Sequence, residues 1–131
     1  MSDFPTRLST FIPQKPHIFT LIIHHGPSET TERLTSQLQH IRGKKEYIVI
    51  INHSTTALNI PQQVNTTVIT QENTGYAGGI KTGLRYIEKN LKAHPEDIVV
   101  VLNNDGTVLD NFFQSLREWW QQQTKETLAG T

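Results

Sequence analysis

The chain has 131 residues with no cysteine, so one domain with a real core is expected, while disulfides, thiolate zinc sites and cysteine nucleophiles are excluded. The formal net charge is zero and 18% of residues are charged, so the basic stripe of a nucleic-acid or anionic-membrane binder is missing. No run approaches the roughly 18 apolar residues of a membrane span. The opening MSDFPTRLSTFIPQKP lacks the apolar core of a signal peptide, and a cytoplasmic location is read, with contact at the inner membrane face left open.

Residues 1–16 carry three prolines and read as an extended lead-in; the domain is taken as 17–131. Ile18 to His24 is a near-continuous β-rich apolar run, the pattern of a strand buried on both faces of a parallel sheet. Ser28 is placed to cap a helix whose first turn holds Glu29 and Glu32 and whose stripe is Leu34, Leu38 and Ile41. Gly43 is placed to end it in a left-handed conformation. Tyr47 to Ile51 and Thr66 to Thr70 are two further strands. A second helix follows a Gly-rich turn, with Ile80, Leu84, Ile87 and Leu91 as its stripe and Lys92 at its C-terminal end. Ile98 to Leu102 is the strongest strand. Asp110 is placed to cap a third helix that turns Phe112, Phe113, Leu116 and Trp119 or Trp120 to the core; polar residues follow from Gln121. This order predicts an α/β fold with a mostly parallel sheet flanked by helices, whose ligand edge lies beyond the carboxyl ends of the strands.

Three segments at that edge could carry chemistry. The turn from Asn73 to Gly83 opens a helix, and glycine lets backbone approach a ligand while free N–H groups favour anions. A P-loop would need glycine at Ile80, and a dinucleotide fingerprint would need other spacing after the first strand. The plainer account, a turn that only lets a helix pack closely on the sheet, stands level with a ligand role. Asn103-Asn104-Asp105-Gly106 delivers a carboxylate that can share Mg²⁺ or Mn²⁺ with substrate phosphates, but Asn, Asp and Gly also make plain turns. Asn52-His53-Ser54 offers amide and hydroxyl groups to a base or ribose, or is an ordinary polar loop. The histidines show no metal-ligand spacing, with ligand contact left open for His25.

Taken together, N-T-G-Y-A-G-G-I-K-T-G-L (Asn73 to Leu84) and V-V-V-L-N-N-D-G-T-V (Val99 to Val108), with T-L-I-I and Y-I-V-I-I-N-H-S upstream, resemble the N-terminal half of family 2 glycosyltransferases of GT-A fold. The branch they are most similar to is the bacterial rhamnosyltransferase and galactofuranosyltransferase group. The resemblance runs from about Ile18 to Trp120. It implies that His24 and His25 line a nucleotide pocket, that Asn52 and Ser54 lie near base and ribose, and that Asn73, Gly75, Tyr76, Gly78 and Gly79 shape the donor site beside the diphosphate. Asn103, Asn104 and Asp105 would form the D-x-D-like motif, with Asp105 the metal ligand for Mg²⁺ or Mn²⁺. The implied reaction is inverting transfer of a sugar from a UDP- or dTDP-linked donor to a saccharide or lipid-linked acceptor, as in cell-surface polysaccharide synthesis. The chain departs from the family pattern where Ile51 and Thr56 replace acids and where Asn103 replaces the first Asp. Lys81 replaces Asn and offers a phosphate contact. Family members continue well past this length, and their later half holds the acceptor site and general base. The chain is therefore expected to carry a partial GT-A domain, the donor-binding half, with its catalytic base unassigned. The alternative is a non-catalytic interaction domain that keeps the fold.

Overall fold

The computed structural model describes the backbone of residues 15–130 and the side chains of residues 15–123, so most of the expected lead-in lies outside the described residues. Four strands form one sheet: β1 (Ile18–His24), β2 (Glu46–Asn52), β3 (Thr66–Thr70) and β4 (Ile98–Leu102). Their order is β3-β2-β1-β4 and every pairing is parallel. The three helices are α1 (Ser28–Ile41), α2 (Gly75–Lys89) and α3 (Phe112–Gly130). The fold is α/β with a Rossmann-like, all-parallel sheet flanked by helices, as the alternation of elements predicts.

Burial explains the strand sequences. All seven residues of β1 are buried, because it is central and both its faces are covered. Odd and even positions then serve different layers. Ile18, Ile22, Ile48, Ile50 and Ile98 pack under Leu34 and Leu38 of α1 and Phe113 of α3. Phe19, Leu21, Ile23, Val49 and Ile51 pack under Ile87 of α2 on the opposite face. The edge strands β3 and β4 are only partly buried, which is why TTVIT reads weakly.

Several local expectations are corrected. Pro27, not Ser28, occupies the N-cap of α1, with no side-chain cap bond; Ser28 is already helical. Gly43 does not adopt a left-handed conformation: Arg42 ends α1 in extended backbone, and the Gly43 N–H is taken by the Glu46 carboxylate. Helix α2 ends at Lys89, and Lys92 lies beyond it at φ 55. The stripe of α2 is centred on Gly79, Gly83 and Ile87, while Leu84 is 43% exposed. On α3 neither tryptophan enters the core, since Trp119 is 53% and Trp120 38% exposed. The buried place one turn after Phe113 goes to Arg117, which reaches Glu46 at the start of β2 at 2.7 Å. Helix α3 continues to Gly130, through the stretch read as a polar trail. Among the described residues no helix is long and apolar enough to cross a membrane.

Candidate functional site

The strand order places a switch point between β1 and β4. From β1 the chain crosses to β2 on one side of it, while β3 leads by way of α2 back to β4 on its other side. In open α/β sheets a crevice forms outside the carboxyl ends of the strands at such a point. A cavity of about 520 Å³ lies there, lined by Ile23 near the end of β1 and His25 just after it, His53 after β2, Asn73, Gly75 and Tyr76 at the start of α2, and Asn103, Asn104 and Asp105 after β4. Seven of the residues that the resemblance singles out thus meet in one space, although they come from three distant segments.

Each wall has a local cause. The Asn73 side-chain oxygen accepts the Gly75 N–H at 2.8 Å, and Gly75 holds φ 86, so this turn brings the α2 N-terminus and the exposed Tyr76 to the rim. At Gly79 a Cβ would stand 3.0 Å from His53 Cε1 and from Ile23, so its lack of side chain lets α2 settle on the cavity floor. At Gly78 a Cβ would collide with the Thr74 side chain. Gly79 thus shapes the site from beneath, and neither glycine lines it. The close-packing account of the Gly-rich segment and its placement at a cavity both hold, for different glycines.

Asn104 acts as a bracket. Its amide donates to the His25 carbonyl at 3.0 Å and to the Thr31 hydroxyl at 3.1 Å, tying the loop after β4 to β1 and α1. Arg33 adds a bond to the Asp105 carbonyl at 3.3 Å, and Gly106 N–H closes the turn on the Asn103 carbonyl at 3.1 Å. Asp105 is left exposed at the cavity wall.

Other expected contacts lie elsewhere. His24 is buried beneath α1, with Nδ1 bonded to the Thr31 hydroxyl, and does not line the cavity. Asn52 is buried too, and its side chain closes the turn to Ser54 and Thr56. The Ser54 hydroxyl accepts the Thr56 N–H. Their polar groups serve the loop itself. Lys81 is exposed on α2 outside the lining. Sequence reasoning passed over Ile23 and Arg33 and set His53 aside as a loop histidine. His53 stands within the Asn52-His53-Ser54 segment, and its Nε2 lies 2.9 Å from the Gln71 amide, which orients the ring. Arg33 reaches Asp105 across 72 positions, a pairing that no local pattern announces.

Burial holds the imidazoles of His24 and His53 below their ordinary 6.5, and the neighbouring His25 pushes both the same way; Glu32 opposes this at His24. The fold therefore prefers the neutral rings. Below about pH 6.5 the unfolded chain takes up these protons first, so this contribution to stability is complete above that value and falls as the pH drops through it. The urea midpoint is expected to fall between about pH 7 and pH 5, and His24→Asn, which keeps an acceptor near Thr31, should flatten the dependence. An unchanged pH slope in that variant would contradict the assignment to His24.

Asp105 supplies one hard carboxylate oxygen. Among the described residues no three His, Asp or Glu side chains gather as a metal-holding group. A divalent cation at Asp105 would complete its shell with phosphate oxygens and water, the habitual arrangement for Mg²⁺. The donor set fits a cation that arrives with a phosphorylated ligand.

Fold and cavity together define an α/β protein of Rossmann-like sheet with a polar crevice at its switch point. No protein-family model matches the chain, and no curated protein matches it.

Proposed function

We propose that the chain is the donor-binding domain of an inverting, family 2-like glycosyltransferase, taking a UDP- or dTDP-linked sugar with Mg²⁺ or Mn²⁺. The supporting observation is the shared cavity: a helix N-terminus that favours anions faces the Asp105 carboxylate across a polar space. A diphosphate bridged to a cation matches that pairing of a fixed positive dipole with a hard oxygen ligand. When bound, the cation would neutralise charge on the departing nucleoside diphosphate. His25, His53 and Tyr76 then border the remainder of the ligand. The reading extends to a saccharide or lipid-linked acceptor in cell-surface polysaccharide synthesis.

Thermal denaturation with UDP or dTDP plus Mn²⁺ tests it. At about 100 times Kd the ligand should stabilise the wild type by about 2.7 kcal/mol, and Asp105→Ala should lose most of that gain. ATP or NAD stabilising the protein better would point to another nucleotide-binding class. The second reading, a non-catalytic interaction domain, is favoured by Asn52 and Ser54, whose polar groups are spent within their own turn. It predicts no response to any nucleoside diphosphate in wild type or variant.

A further inference from the structure

His53 is 8% exposed, yet the protein uses only one of its ring nitrogens. Thr82 shares its hydroxyl proton between Gln71 Oε1 and the Gly78 carbonyl, both at 3.1 Å, so the Gln71 amide turns its nitrogen to His53 Nε2 at 2.9 Å. An amide nitrogen only donates, so Nε2 is the bare, accepting nitrogen and the neutral ring carries its proton on Nδ1. Burial, which holds this imidazole below its ordinary 6.5, keeps the ring neutral. Among the described residues Nδ1 finds no acceptor, and it is not sealed from solvent. His53 lines the polar cavity, and that is the space onto which this donor opens.

The same cavity meets the N-terminus of α2, which has no side-chain cap bond and no acid in its first turn. Apart from the Gly75 N–H, which Asn73 takes, its leading N–H groups and the positive end of its dipole are left for a ligand. Donors converging on one space select a group that only accepts, and phosphate oxygens are such groups. We infer that His53 is a ligand-binding residue of this cavity, its neutral Nδ1–H donating to a phosphate oxygen seated at the α2 N-terminus. Gln71 is the positioning residue, since its amide decides which nitrogen bears the proton. The ring thereby donates without the cost of burying a charge. On the donor-domain reading, upon which the ligand's identity rests, the oxygen belongs to the nucleoside diphosphate; pyrophosphate offers the same chemistry.

Long-range ¹H–¹⁵N NMR of the imidazole nitrogens at about pH 8, above the ordinary histidine range, reads the tautomer in the full chain. His53 should show a protonated Nδ1 and a bare Nε2, and Gln71→Leu should mix the two tautomers. UDP with Mg²⁺ and pyrophosphate with Mg²⁺ should each move the Nδ1 signal. In calorimetric titration His53→Gln should weaken UDP binding about tenfold, because its amide replaces only Nε2. His53→Asn, whose amide nitrogen falls near the place of Nδ1, should keep most of the affinity. A merely structural ring would give the reverse order, because glutamine alone can keep the bond to Gln71. A bare Nδ1 in the wild type, that reverse order, or an Nδ1 signal that neither probe moves overturns the inference. UDP binding that leaves the Nδ1 signal unmoved removes this inference alone. A response to pyrophosphate but not to UDP removes the donor reading and leaves an anion site.

Discussion

Arg117→Ala is expected to lower the unfolding free energy by about 3–5 kcal/mol, the range for removing one partner of a buried ion pair. The Arg117 and Glu46 side chains are 8% and 6% exposed, and their charged atoms stand 2.7 Å apart. Arg117 also donates twice to the Pro16 carbonyl, at 2.8 and 3.1 Å, and Glu46 accepts the Gly43 N–H. Truncating the arginine strands a buried carboxylate and a carbonyl at once. The pair joins α3, the start of β2 and the segment entering β1. Replacing both charges by Leu and Met should recover only part of the loss, since the Pro16 carbonyl and the Gly43 N–H stay unpaired. Urea denaturation of the wild type and these two variants measures this. An Arg117→Ala loss below about 1 kcal/mol would mean that water reaches the pair and screens it.

Gly83→Val is expected to cost about 3 kcal/mol, toward the upper end for overpacking a core. A Cβ at Gly83 would stand 2.3 Å from Leu21 Cδ1 and 2.7 Å from Cδ2. Leu21 is fully buried in the central strand and has little room to withdraw. Alanine gains about 1 kcal/mol of helix propensity over glycine, so Gly83→Ala should lose less than valine and remain destabilising. Lys81→Ala, exposed on the same helix, should change stability by about 0.5 kcal/mol or less. A stabilising Gly83→Ala would show that α2 does not press on the sheet at that point.

The strands were legible because their reason is local. IFTLIIH, YIVII and IVVVL are long apolar runs that only a parallel sheet covered on both faces would bury. The helix stripes were less legible on α2 and α3, where partners decide. Periodicity favours Leu84 for the sheet side, yet the absent side chain of Gly83 brings the helix so close that Leu84 is turned outward. Hydrophobicity favours a tryptophan for the core of α3, yet the Glu46 carboxylate selects Arg117. At the candidate site, the Asn73–Gly83 turn and the Asp105 carboxylate stand out because Asn, Gly and Asp cluster beyond strand ends, while Asn73, Gly75 and Tyr76 are singled out individually only by the resemblance. Which amides face the cavity could not be read, because Asn52 and Asn104 differ only in what the fold offers their side chains. Asn52 closes its own turn and Asn104 braces a loop against α1. Arg33 was invisible for the same reason, since its partner lies 72 positions further along the chain, in the loop after the neighbouring strand β4.

Paramagnetic broadening by Mn²⁺ in the presence of UDP probes the central claim most directly, because it reports where the cation sits. Amide signals from Asn103 to Gly106 and from Asn73 to Tyr76 should broaden together, only when UDP is present, and Asp105→Ala should abolish the effect. Broadening centred on other residues, or the same broadening without nucleotide and in the variant, would contradict a cation-bridged diphosphate at this sheet edge.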